Sequence, residues 1–184
     1  LNPTRGERLH ATLTSLAGTF REAPTAFVVA EARASAYRDL TGEGAYILAG
    51  RARLGTIGAG ELDDVPQTRR FYAGGGGSVR GFERYLVGPL DDRNDPLGGL
   101  SVAELGLEFR GRIWGDIGGV VFTDAGTIST EPGFAFDDDS LIAAGTGLRY
   151  YSPIGPVRLD VAFPLNGRDV DDAFQVYFAI GQAF

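Results

Sequence analysis

Arg80 is the residue most clearly placed to do chemistry. It follows Gly74-Gly75-Gly76-Gly77-Ser78-Val79 and precedes Gly81-Phe82. Four consecutive glycines leave the backbone nearly free of steric restriction. Such a run is a flexible linker unless its ends are held. An arginine between apolar neighbours needs a carboxylate partner if it is buried. Neither phosphate-cradling pattern fits: G-x-x-x-x-G-K-[ST] is absent and no G-x-G-x-x-G registers in the run.

Other chemistries have little to work with. The chain has one histidine, His10, and no cysteine. A Ser-His-Asp set could draw only on His10, and thiolate or multi-histidine metal sites are excluded. Glu104 and Glu108 share a face of an alternating segment. They are more simply a solvated or arginine-paired wall than an acid/base pair. Asp91-Asp92-Arg93-Asn94-Asp95 lacks the glycine and distal glutamate of a calcium loop. No catalytic residue, metal or cofactor is expected. A net charge of −7 argues against nucleic acid as a partner.

The elements that must position these groups alternate rather than repeat every third or fourth residue. Leu9, Ala11 and Leu13 oppose Arg8, His10, Thr12 and Thr14. The Ala-rich stretch Ala23 to Ala36 alternates against Glu31, Arg33 and Ser35, which favours strand over helix. Tyr46, Leu48, Ala52 and Leu54 oppose Arg51 and Arg53; Leu105, Leu107 and Phe109 oppose Glu104, Glu108 and Arg110. Ile117 to Gly126 follows, then Ile142 to Tyr150 opposing Arg149. Val157 to Leu165 opposes Arg158 and Asp160, and Phe174, Val176, Phe178 and Ile180 oppose Gln175 and Tyr177. These are eight period-2 segments, several of the length a tilted membrane strand needs. No apolar run approaches the ~18 residues of a membrane helix.

The connections sort by length. Leu40 to Gly44 and Ser152-Pro153-Ile154-Gly155 read as tight turns. Glu61 to Gly99, the Asp137-Asp138-Asp139 loop and Asn166 to Asp172 are longer and acidic. Short turns at one rim and long loops at the other is the asymmetry of an outer-membrane barrel. The polar face mixes both charge signs, as a hydrated lumen would. Tyr46, Trp114, Tyr150, Tyr151 and Phe184 fall near the short-turn end, where an interfacial aromatic girdle is expected.

Several stretches resemble the BamA/TamA superfamily of outer-membrane assembly factors. The loop motif Gly76-Gly77-Ser78-Val79-Arg80-Gly81-Phe82 is similar to the family's signature. Phe122-Thr123-Asp124-Ala125-Gly126 is similar to its F-x-D-x-G strand motif, and Gly147 to Pro156 to its strand-turn-strand before the last hairpin. Gly98-Gly99 opens the strand carrying Leu107-Glu108-Phe109, Phe184 ends the chain as an outer-membrane targeting signal does, and Asn2-Pro3-Thr4-Arg5-Gly6 resembles the opening turn of a middle strand in TamA-type barrels. Gln182 departs from the aromatic or apolar residue that the terminal signal prefers.

The resemblance implies an all-β, transmembrane antiparallel barrel in the bacterial outer membrane. Its eight strands match the C-terminal half of a sixteen-stranded barrel, as a single unit over residues 1–184 with loop 61–99 folded inward. The chain is then a processed or excised piece of something longer, or a half-barrel without activity of its own. Arg80 is expected to pair in the lumen with Asp124 first and Glu108 second, with Val79, Gly81 and Phe82 completing the loop motif and Phe122 and Gly126 the wall motif. The implied function is insertion or translocation of other outer-membrane proteins; a two-partner secretion pore gated by the loop is the alternative. Implied partners are the lipid bilayer, client barrels, a periplasm-spanning protein of the TamB kind, or a second copy paired edge to edge. The last segment (Phe174, Val176, Phe178, Ile180, Gly181, Phe184) would form one side of a lateral seam, weakened at Gly181 inside the strand.

Overall fold

The computed structural model describes residues 2–133, 139–153 and 155–184. Eight strands lie in one antiparallel sheet in sequence order. They are β1 (Gly6–Phe20), β2 (Ala23–Asp39), β3 (Tyr46–Gly58), β4 (Ser101–Trp114), β5 (Ile117–Ser129), β6 (Leu141–Ser152), β7 (Gly155–Pro164) and β8 (Gln175–Ile180). Each strand of 10 to 17 residues except the short β8, 6 residues long, comes from one alternating segment. The Ala-rich stretch is β-strand throughout, because its alternate faces meet different solvents and a helix would mix them.

Register carries the alternation across the sheet. Arg33 lies opposite Arg53, Arg53 opposite Glu104, Glu104 opposite Gly126 and Arg149 opposite Arg158, so the charged residues share the concave face. The convex face is apolar and open: Leu13 is 74% exposed, Leu107 56% and Phe178 74%. That arrangement suits a surface whose solvent is hydrocarbon rather than water.

The long connection between β3 and β4 is a compact unit lying against the sheet. Between β3 and β4 the chain makes two short 3₁₀ turns, Leu62–Asp64 and Gln67–Arg69, then isolated bridges pairing Phe71 with Gly99 and Ala73 with Val87. Val65, Phe71, Val79, Phe82, Val87 and Leu100 pack with Phe27, Ile57, Val102, Ile128, Leu141 and Ala143 of the wall. The core therefore lies between loop and sheet, not between two sheets. Each large apolar side chain buried there contributes about 1.5–3 kcal/mol.

Three sequence expectations are corrected. The rim of long loops also carries a two-residue link between β1 and β2, Arg21-Glu22, with φ of 50° and 66°. Two successive left-handed residues match the twist of a hairpin, so length does not sort the rims completely. Next, only part of the aromatic set faces outward. Tyr46, Trp114 and Tyr150 are exposed at the short-turn rim, where Gly115-Asp116 adds another tight turn. Tyr151 instead turns inward beneath the Arg112 guanidinium, and Phe184 lies near Tyr37, Arg51 and Arg110. Cations on the concave face draw these rings away from the lipid side. Lastly, Gly181 lies just past β8, not inside it. Its φ is +102°, a turn that an L-residue side chain disfavours, and its N–H still donates to the Pro156 carbonyl at 2.7 Å. Asp137, Asp138 and Ile154 lie outside the described residues.

Candidate functional site: the loop arginine and its wall

The site is assembled from four strands and one loop tip. β4 supplies Glu108, β5 supplies Phe122, Asp124 and Gly126, β7 supplies Asp160 and β8 supplies Tyr177. All are on concave-face parity, as the register requires. The loop tip brings Val79 to Phe82 onto them.

Arg80 is 1% exposed and spends its donors on three carboxylates. Its Nε donates to Asp124 Oδ2 at 2.6 Å and one terminal nitrogen to Asp124 Oδ1 at 3.2 Å, a bidentate fork. The other terminal nitrogen donates to Glu108 Oε1 at 2.5 Å and reaches Asp160 Oδ2 at 3.5 Å. The Arg80 backbone N–H also donates to Asp124, at 3.2 Å. Phe122 lies under the guanidinium, 3.5 Å from ring centroid to central carbon. Burial alone would pull this arginine down, but hydrogen bonds and charge from Asp124 and Glu108 hold it above the usual arginine value.

The F-x-D-x-G spacing now has a physical reading. Successive even positions on β5 stack on the guanidinium (Phe122), bind it (Asp124) and leave room beside it (Gly126). A Cβ at Gly126 would come 2.5 Å from Val79. Gly81 has φ +100°, and a Cβ there would come 2.5 Å from the Ala143 Cβ. The chain turns away after Arg80 in a conformation and a gap that only glycine fills. Phe82 is fully buried behind it.

The carboxylates are held by wall arginines in turn. Glu108 accepts from Arg110 at 2.7 Å, and Asp160 from Arg149. Glu104 is bridged by Arg51 at 3.1 Å and by Arg53 at 2.8 Å, and Arg53 also reaches Glu31 at 2.6 Å. The loop has little ladder of its own, so its carbonyls need other donors. Arg51 donates to Ser78, Arg53 to Tyr72 at 3.3 Å and Arg158 to Gly76 at 3.0 Å. Arg168, in the β7–β8 connection and held by Asp171 at 3.0 Å, donates to Leu86 and, at 2.8 Å, to Gly88.

Sequence reasoning named Asp124 and Glu108 but not Asp160, nor the four arginines that cap loop carbonyls, nor Tyr177. Parity put Arg51, Arg158, Asp160 and Tyr177 on the lumen face; nothing local said which would meet the loop. The acidic stretch 91–95 closes on itself. Asp91 accepts N–H bonds from Arg93 at 2.8 Å and Asp95 at 2.9 Å, which hold its carboxyl below the usual range.

The terminal segment is spread over two settings. Val176, Phe178 and Ile180 project from β8 to the apolar face, 53%, 74% and 62% exposed. Phe174 precedes the strand and is 53% exposed against Phe163. After Gly181 the chain bends across the concave side: Gln182 bonds Arg149 at 3.2 Å and Asn2 at 2.8 Å, and the Phe184 carbonyl accepts from Arg110 at 3.3 Å. Among the described residues β8 pairs only with β7, and β1 only with β2.

Comparison with known proteins gives a consistent picture. The Omp85 superfamily domain model matches residues 1–184. An outer membrane protein assembly factor BamA from Nitratidesulfovibrio vulgaris is 34% identical over 76% of this chain and 18% of its own length. BamA from Neisseria meningitidis serogroup B is 28% identical over 69% of this chain and 20% of its own. The chain thus spans about a fifth of the curated relatives it matches. The crystal structure of BamA from Haemophilus ducreyi lacking POTRA domains 1–3 has the same fold over 95% of this chain and 38% of that one, with a TM-score of 0.75 and 24% identity.

Proposed function

The chain belongs to the Omp85 superfamily of the bacterial outer membrane, and on that premise we propose that it is barrel wall of an assembly factor that inserts or translocates other outer-membrane proteins. The observation that carries this reading is the seated loop. Arg80 and its three carboxylates hold the tip against β4, β5 and β7 inside the concave face. A lumen occupied in this way is poorly suited to passive conduction, which counts against a secretion pore. What remains for a client is the sheet edge. An extended segment can add to an unpaired strand by backbone hydrogen bonds alone, which needs no catalytic side chain.

In this reading the Arg80 set pins the loop, and Phe174 to Phe184 forms one side of a lateral seam. The sharp turn at Gly181 ends pairing early and lets the last residues leave the strand. The seam's other side is a strand beyond this chain or a second copy. A TamA-like subtype, with a TamB-like periplasmic partner, rests on Asn2 to Gly6 alone, while both relatives above are named BamA.

The test is a disulfide across the seam in the full-length protein, from Gly181→Cys to a cysteine on the facing strand, in lipid vesicles. Client insertion should fall sharply when the bridge is oxidised and return with reductant. Insertion at the normal rate by the locked form would overturn the reading.

A further inference from the structure

Tyr177 is the lumen-facing residue at the centre of β8, and its hydroxyl is engaged on both sides by the loop tip. It accepts the Gly81 N–H at 3.1 Å and donates to the Phe82 carbonyl at 3.1 Å. These two loop residues directly follow Arg80. The ring meets the loop a second time at Gly76, where a Cβ would lie 2.8 Å from it, and packs on Val120, Phe122 and Ala162. A phenol hydroxyl donates one hydrogen bond and accepts others, so one oxygen serves both loop residues.

Its neighbours on β8 have no comparable tie. Gln175 bonds Asp172 in the preceding connection at 2.8 Å, and Ala179 has no polar side chain. Val176, Phe178 and Ile180 face the apolar side. Among the described residues, Tyr177 is the side chain by which the strand itself is bonded to the loop. The loop tip is in turn held by Arg80 to β4 and β5.

We propose that Tyr177 is a positioning residue that fastens the terminal strand to the seated loop, so that loop seating and release of β8 are one equilibrium. When the Gly81–Phe82 turn sits in place, β8 is held from the lumen side as well as by β7. When Arg80 lets go, the turn shifts and β8 keeps only its ladder to β7. The reverse follows by linkage: a displaced β8 removes two hydrogen bonds from the loop tip and loosens Arg80. This rests on the seam reading above, but its test does not.

The experiment is amide hydrogen exchange on the full-length protein in lipid nanodiscs, comparing wild type, Tyr177→Phe, Arg80→Lys and the double variant. Tyr177→Phe keeps the ring and its packing and deletes only the hydroxyl. Two lost hydrogen bonds correspond to exchange roughly tenfold faster over 175–180, with the Gly81 amide faster as well. Arg80→Lys, which loses the bidentate fork, should speed exchange in 175–180 without touching β8. The double variant should exchange no faster than the faster single one. Unchanged exchange in 175–180 for Tyr177→Phe would overturn the proposal, and so would full additivity in the double variant. Faster exchange with unaltered client insertion would keep the fastening and discard the seam.

Discussion

β1 and β5 are strands of similar composition logic and opposite surroundings. β5 alternates between exposed positions and buried ones, with Val120, Phe122 and Asp124 nearly inaccessible. β1 is exposed on both faces along nearly all its length. Among the described residues its lumen-parity side chains Arg8, His10, Thr12 and Thr14 are exposed, while Leu16 near its far end packs against the core cluster that includes Phe27. The sheet backbone is equally regular in both. The difference is the loop, which lies on the concave face of β3 to β8 and reaches β1 and β2 only at one end. Strand pairing alone produces a two-faced surface; burial, and with it the energetic weight of a charge, comes from what lies on that surface.

Three substitutions break or sharpen this contrast. Arg80→Ala has the largest expected effect. It leaves Asp124 and Glu108 buried without their shared cation, and breaking a buried pair costs about 3–5 kcal/mol. Loss of heat-modifiability in detergent and rapid proteolysis within 59–100 are the expected readouts; wild-type behaviour in both would show that the loop does not depend on this arginine. Gly126→Ala comes next. The new methyl would overlap Val79 at 2.5 Å, and overpacking of this kind costs about 1–3 kcal/mol. It should lower the thermal midpoint while leaving the strand content by circular dichroism intact, and a midpoint equal to wild type would mean that the loop tip sits further from β5. Thr12→Ala is the smallest. On the uncovered face of β1 it should change the midpoint by no more than about 0.5 kcal/mol in equivalent stability. A cost near that of Gly126→Ala would show that β1 is covered by something the chain itself does not supply.

Much of the architecture was legible because it is local. Alternation assigned each charged residue to its face, and that assignment holds from Arg51 on β3 to Tyr177 on β8. Motif spacing on β5 placed Phe122, Asp124 and Gly126 in line because every second residue shares a face. The places where the reading slipped are chain ends and turns. Tyr151 and Phe184 followed cations inward, Gly181 fell outside its strand, and Arg21-Glu22 put a tight link on the rim of the long loops. Each depends on a few neighbours brought in from elsewhere, not on a repeating pattern.

The amino-acid sequence by itself determined eight strands, their two faces and a long connection ending in a single arginine among glycines. The period of two is a property of the extended backbone and needs no partner to be read. Only the tertiary structure decided which lumen residues the loop meets. Arg80 finds Asp124 44 positions away and Asp160 80 positions away, and Gly81 finds Tyr177 96 positions away. Those encounters are set by the register of successive strand pairs and the curvature of the sheet, which bring distant positions to one height in the lumen. The number of lumen-facing acids is a matter of sequence; the choice of three of them for one guanidinium is a matter of three-dimensional placement.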